Sequence, residues 1–302
     1  MSPFRERRIT AQDGLSLYCR EYGDPLSPGV PVLCLPGLAR NSKDFHRLAL
    51  HLSDRRWIVC PDYRGRGRSA YDPHSENYQP ATYLNDLRHL LAAVGLHRAA
   101  VIGSSMGGLL ACAMGAAMPT VLAGVVLNDV GPDIGGDGLQ RIVTYLSQDN
   151  PQPDWDSAVR AFRTLFPTLS LRTEEDWRAA AEATWYEGDD GVLHYDWDIH
   201  IIDPVRKNRP LPDLWALFRS LGRYPVLAIR GGVSDVLLPE TFDRMAAAHP
   251  GLDRLTLDGV GHVPSLVEPE SLAMIDRFLA RLDARSQPEM PGAGPNPTGR
   301  PS

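Results

Sequence analysis

The chain of 302 residues is 43% hydrophobic and 23% charged, with a formal net charge of −6, a composition suited to one large buried core with a smaller inserted unit. The acidic balance, with only the short and broken basic runs Arg5–Arg8 and Arg64–Arg68, argues against a nucleic-acid partner. No apolar leader follows Met1 and no apolar run approaches the roughly 18 to 20 residues of a membrane span, so a cytoplasmic protein with no membrane partner is expected.

From the N-terminus, Arg7 to Thr10 and Leu15 to Tyr22 flank Asp13-Gly14 and predict an antiparallel hairpin. Val30 to Leu35 is a continuous apolar run, the pattern of a strand covered on both faces of a parallel sheet. A helical stretch at Phe45 to Leu52 precedes a strand at Trp57 to Cys60. Tyr83, Leu84, Leu87, Leu90, Leu91 and Val94 form a helical stripe ahead of a strand at Ala99 to Ile102. A helix over Ser105 to Met118 and a strand over Gly124 to Asn128 complete the first half. This alternation predicts a mostly parallel, doubly wound α/β sheet.

The rhythm then changes. Between Gly135 and Leu211 the patterns are helical, at Leu139 to Ser147, Trp155 to Phe166 and Thr173 to Tyr186, followed by an aromatic stretch from Tyr195 to Trp197. These residues predict an inserted helical cap without a buried strand, at residues 135–211 between core segments 1–134 and 212–282. Sheet character returns at Tyr224 to Ile229 and Leu252 to Leu257, with helices at Pro239 to Ala248 and Leu266 to Leu282. The Pro/Gly-rich residues 283–302 read as a disordered tail.

Chemistry concentrates at Gly103-Ser104-Ser105-Met106-Gly107, a G-x-S-x-G motif between a strand and a helix. The two glycines permit a sharp turn that presents the Ser105 hydroxyl above the sheet, with the backbone N–H of Met106 behind it. In an open α/β sheet, reactive groups collect beyond the carboxyl ends of the strands. Two such ends supply partners: Asp235 in Arg230-Gly231-Gly232-Val233-Ser234-Asp235 and His262 in Gly259-Val260-Gly261-His262-Val263-Pro264. Asp129, in Leu127-Asn128-Asp129-Val130-Gly131-Pro132, competes with Asp235 for the acid position, and Asp235 is the preferred choice. The cysteines Cys19, Cys34, Cys60 and Cys112 lack zinc-ligand or redox spacing, so buried free thiols and neither metal nor cofactor are expected.

The motif at Ser105, the order Ser105–Asp235–His262, Leu35-Pro36-Gly37-Leu38 after a strand, and Asp62-Tyr63-Arg64-Gly65-Arg66-Gly67-Arg68-Ser69 after the next resemble the α/β-hydrolase superfamily over about residues 5 to 282. The resemblance implies the α/β-hydrolase fold, a nucleophile at Ser105, a base at His262, and an oxyanion hole from the backbone N–H groups of Leu38 and Met106. The first loop carries Pro36-Gly37 where many relatives have His-Gly. Arg40 is a candidate contact for a substrate carboxylate or a strut of the oxyanion loop. Trp155, Trp185 and Tyr186 are candidates for an apolar pocket under the cap or for cap-to-core packing. The Asp62–Ser69 segment reads as a structural turn.

These features point to a cofactor-independent serine hydrolase of a small carboxylic ester or lactone. A C–C bond hydrolase or enol-lactonase uses the same triad, and a ligand-binding receptor on this scaffold is the alternative from another class.

Overall fold

In the computed structural model the described residues are 2–206 and 213–286. β1 (Arg5–Thr10) and β2 (Ser16–Tyr22) form the expected hairpin, and β3 (Val32–Leu35), α1 (His46–Leu52), β4 (Ile58–Asp62), α2 (Pro80–Val94), β5 (Ala99–Ser104), α3 (Met106–Ala117) and β6 (Leu122–Asn128) follow in alternation. α4 (Gly136–Leu146), α5 (Trp155–Leu165), α6 (Glu174–Glu182), β7 (Trp185–Glu187), β8 (Leu193–Tyr195) and the single turn α7 (Asp203–Arg206) make the inserted region. α8 (Leu214–Arg219), β9 (Val226–Gly231), α9 (Pro239–Ala248), β10 (Leu252–Leu257) and α10 (Pro269–Ser286) return to the core.

The eight-stranded sheet runs β1-β2-β4-β3-β5-β6-β9-β10. Only β1 with β2 and β2 with β4 are antiparallel; the remaining pairs are parallel. Period-two alternation along the central strands divides their side chains between two cores. Leu33, Leu35, Val101 and Leu127 face one cluster with residues of α2, α3 and α9. Val32, Cys34, Ile102 and Val126 face the other, against α1 and α10. Continuous apolar runs are thus the signature of strands covered on both sides.

Two expectations are corrected here. The inserted region is not purely helical, because Trp185–Glu187 pairs with Leu193–Tyr195. The signal is Asp190-Gly191: Gly191 adopts φ 74°, and the Trp185 and Tyr195 rings, opposite one another in register, lie 5.2 Å apart, a favourable cross-strand pair. Likewise, the tail does not begin at residue 283. Asp283 belongs to α10, where its carboxylate accepts from Arg56 Nη1 at 2.8 Å and from the Val30 amide at 2.8 Å. The rest of the proposed tail, residues 287–302, and the proposed cap boundary at 211 lie outside the described residues. Among the described residues no helix is long and apolar enough to cross a membrane.

Candidate active site

At the carboxyl end of β5, Ser105 occupies φ 49°, ψ −117°, a costly conformation for a residue with a Cβ. The turn is held by the Ser105 amide donating to Asn128 O at 3.0 Å and by Gly108 N–H returning to Ser105 O at 2.9 Å. The flanking glycines are required by close approach. A Cβ on Gly107 would stand 2.0 Å from the Leu35 carbonyl oxygen, and one on Gly103 would stand 2.4 Å from that of Gly107. Strand, turn and helix can therefore be compressed into the space that lifts the Ser105 hydroxyl clear of the sheet.

His262 Nε2 is 3.1 Å from Ser105 Oγ, and His262 Nδ1 is 2.8 Å from Asp129 Oδ2. The preferred acid, Asp235, is not in this chain of hydrogen bonds. Its carboxylate takes a two-pronged contact from Arg141, Nη2 to Oδ1 at 2.8 Å and Nε to Oδ2 at 3.0 Å, which holds its pKa below the ordinary carboxylate value. The side chain of Asp235 is 40% exposed, whereas that of Asp129 is 0% exposed. Burial makes full hydrogen bonding obligatory for a carboxylate, and Asp129 has it: Oδ1 accepts from Gly231 N–H at 2.8 Å, and Oδ2 accepts from both Ser234 Oγ and His262.

The left-handed backbone of Asp129, φ 52°, explains the exchange. At the end of β6 the chain makes an unusual turn for a non-glycine residue, while the amide of Asp129 stays bonded to Ile229 O at 2.8 Å. The loop after β9 then offers Ser234 rather than Asp235 to the interior. Ser234 escaped the sequence reading because its neighbour carried the more conspicuous functional group. Asn128 escaped as well. Fully buried, it donates from Nδ2 to Ser104 Oγ at 3.0 Å and to Pro264 O at 2.9 Å, tying the nucleophile turn to the histidine loop.

The proposed oxyanion donors lie on two elements. Met106 opens α3, so its N–H has no carbonyl one turn earlier in the helix to bond. Leu38 follows Gly37, whose Cβ position would be 3.8 Å from Ser105 Cβ. That loop is fixed through its carbonyls: buried Arg66 donates from Nε to Leu38 O at 2.8 Å, and Tyr63 OH to Pro36 O at 3.3 Å. Arg66 also forms a backbone bridge to Trp197. The Asp62–Ser69 turn thus braces the Pro36–Leu38 loop and joins it to the inserted region.

Ser105 and His262 open onto a cavity of about 430 Å³. Its apolar wall includes Ile142, Tyr145, Phe162, Phe166 and Leu169 from the inserted helices and their connection. Three aromatic candidates are absent from it. Trp185 is fully buried inside the inserted region, with Nε1 donating to Asn150 O at 3.0 Å. Trp155 lies under the Arg178 guanidinium at 4.9 Å, and Tyr186 is exposed beside His194. None of the three lines the cavity: Trp185 packs within the inserted region and Tyr186 is exposed. The i, i+3 spacing of Ile142 and Tyr145 on α4 and the i, i+4 spacing of Phe162 and Phe166 at the end of α5 are the available clue.

Arg40 does line the cavity. It grips Asp44 through Nε and Nη2 at 2.7 and 2.6 Å and donates from Nη1 to Thr184 Oγ1 at 2.6 Å, linking the segment after Leu38 to the inserted region. Its hydrogen bonds are those of a strut; its expected contact with a substrate carboxylate is left to its place on the cavity wall.

The eight-stranded sheet, the serine turn and the histidine–aspartate pair define a hydrolase scaffold, and a family model described as "Alpha/beta hydrolase family" matches residues 32–275. The chain belongs to the alpha/beta hydrolase family. It is 32% identical over 270 residues to 3-hydroxybutyrate-oligomer hydrolase of Cupriavidus necator, covering 86% of this chain and 91% of that protein. It is 25% identical to 2-(acetamidomethylene)succinate hydrolase of Mesorhizobium japonicum, over 88% of this chain and 92% of the relative. A solved alpha/beta hydrolase from Novosphingobium aromaticivorans superposes with a TM-score of 0.87 at 40% identity, covering 93% of this chain and 99% of the other.

Proposed function

We propose that this protein is a cofactor-independent serine hydrolase of small carboxylic esters, with Ser105 as nucleophile, His262 as base and Asp129 as the acid that orients it. The observation carrying this reading is the continuous hydrogen-bonded path from Ser105 Oγ through both nitrogens of His262 to the buried Asp129, open to an apolar cavity. His262 Nε2 takes the hydroxyl proton as Oγ attacks the acyl carbon, and Asp129 stabilises the imidazolium that forms. Charge developing on the carbonyl oxygen is received by the N–H groups of Leu38 and Met106. Collapse returns the proton to the leaving alkoxide, and water activated by His262 then releases the acid and restores Ser105.

The volume and apolar wall of the cavity suit a small, partly apolar ester. The relative named for 3-hydroxybutyrate oligomers supports an ester between short hydroxyacyl units as the first substrate class to assay. Turnover of p-nitrophenyl butyrate and of the linear 3-hydroxybutyrate dimer and trimer should be abolished by Ser105→Ala, with a fluorophosphonate probe labelling the native protein at Ser105. Retained turnover in the variant, or labelling without any turnover of the panel, would overturn the proposal; the latter outcome would favour a binding protein on this scaffold.

A further inference from the structure

The charges around the cavity do not cancel. Arg40 faces Asp44 and Arg141 faces Asp235, as described above. Lys43 Nζ lies 2.7 Å from an Asp196 carboxylate oxygen, and Arg47 bonds Asp176. Glu182, also on the wall, is bonded to Arg178 at 2.7 Å. Arg20 is different. It lines the same cavity, yet among the described residues no carboxylate comes within ion-pair distance of it.

Its contacts do not neutralise it, and Asp196, whose carboxylate feels Arg20 at a distance, is bonded to Lys43. The guanidinium lies 4.3 Å over the Phe4 ring, and its electrostatic environment is set by burial and by the Tyr22 and Tyr18 hydroxyls. Tyrosine hydroxyls are uncharged at neutral pH. His46, on the same wall, carries no negative charge in either of its forms, and burial and Arg20 itself lower its pKa toward the neutral one. Arg20 Nε is moreover buried without a hydrogen-bond partner. That Nε is closed off from the cavity, so what Arg20 offers a ligand there is its uncompensated charge and its terminal nitrogens, a group suited to a carboxylate.

We propose that Arg20 is a specificity-determining residue that captures a free carboxylate of the substrate at the end of the cavity away from Ser105. The inference rests on the ester-hydrolase reading and adds the substrate's charge and its reach. β2, which carries Arg20, is separated from β5 by β4 and β3 in the sheet, a lateral distance of roughly 14 Å at the usual strand spacing. The extended arginine stem shortens that gap without closing it. The favoured substrate is therefore a linear ester whose carboxylate lies several bonds from the scissile carbonyl, as in a short oligomer of hydroxy acids, and not an ester whose charge is adjacent to the reacting carbon.

The test compares mono-p-nitrophenyl esters of adipic and suberic acids with the same esters methyl-capped at the free carboxylate. The native enzyme should prefer the free acid by roughly tenfold to a hundredfold in kcat/KM, the range for a charge-assisted contact, chiefly through KM. This preference should shrink as salt is raised. Arg20→Met should erase it, and Arg20→Lys, which keeps the charge but loses the fork, should restore part of it. No preference in the native enzyme, or an undiminished preference in Arg20→Met with native circular dichroism, would overturn the proposal. Calorimetric titration of Ser105→Ala with suberate reads the same contact without catalysis: binding there that is lost in Ser105→Ala/Arg20→Met supports the Arg20 site even if no ester is hydrolysed, while equal or absent binding in both counts against it. Failure of all ester turnover, by contrast, falls on the hydrolase reading.

Discussion

The hydroxyl of Ser234 donates to Asp129 Oδ2, the same oxygen that faces His262 Nδ1. One carboxylate oxygen thus meets two donors from two different loops, while the other is held by the Gly231 amide. Ser234 acts through Asp129, restricting its position without approaching the substrate. Ser234→Ala should lower kcat roughly tenfold with little change in KM, and Ser234→Thr should recover much of the loss. An equal fall in both kcat and 1/KM, unrepaired by threonine, would show that the serine only packs the loop.

The rival carboxylates are separable by substitution. Asp129→Asn leaves the shape but removes the negative charge beside the imidazole, and a loss of about 10⁴-fold in kcat is the precedent for such a change. Asp235→Asn should change kcat by less than about threefold, because its carboxylate engages Arg141 on the surface. Steady-state kinetics with p-nitrophenyl butyrate decide the matter, and the reverse ranking would restore Asp235 to the acid role.

The Asp235–Arg141 pair has its own pH signature. Its hydrogen bonds to Arg141 depress the Asp235 pKa in the folded state, so ionised Asp235 stabilises the fold at any pH above the ordinary carboxylate value of about 4. That contribution disappears as the pH falls through the lower folded-state value. Exposure limits it to at most about 1 kcal/mol. Thermal unfolding of the native protein and Asp235→Asn should differ at neutral pH and converge in acid; a gap that persists or widens in acid contradicts the assignment.

Substitution at the serine turn probes stability directly. Gly107→Ala would place a Cβ 2.0 Å from a backbone oxygen, where no side chain can move aside. A destabilisation of about 3 kcal/mol follows from overpacking of this kind, or a fall in Tm of roughly 5 °C for a chain of this size. Unchanged melting would mean that the backbone at Gly107 yields to a methyl group without cost.

Phe162 joins the cavity wall to the aromatic interior of the inserted region, 4.9 Å from Phe166 and 6.2 Å from Trp185. Phe162→Ala should cost about 3–5 kcal/mol and shift preference from p-nitrophenyl butyrate toward the hexanoate and octanoate. Tyr186→Phe should leave that chain-length profile as it is. If Tyr186→Phe alters the profile and Phe162→Ala does not, the wall has been assigned to the wrong face of the insertion.

The sheet, the serine turn and the histidine loop were legible in the chain because each depends on local grammar: uninterrupted apolar strands, glycines where backbones touch, a histidine beyond the last strand. Asp129 was not, since two aspartates end neighbouring strands and their choice depends on a left-handed residue at 129 and on which member of Ser234-Asp235 turns inward. Periodicity carries no record of either. The aromatics of the insertion failed for a related reason. Trp185 and Tyr195 meet through a hairpin register, and that register, not their abundance, turns them into its core and leaves Tyr145 and Phe162 to face the cavity.

Ser105, Asp129 and His262 all lie outside the stretch from α4 to α7, and Asp129 is placed just before the chain departs into it. Ser105 and Asp129 precede the inserted region and His262 follows it, so the proposed reacting groups are all carried by the core. A lineage built on this plan is free to replace the whole lid by exchange of one contiguous block of sequence, acquiring a new diet in a single recombination while the reacting groups are inherited untouched, provided that the incoming block still answers Arg66 and Asp235 at its two seams.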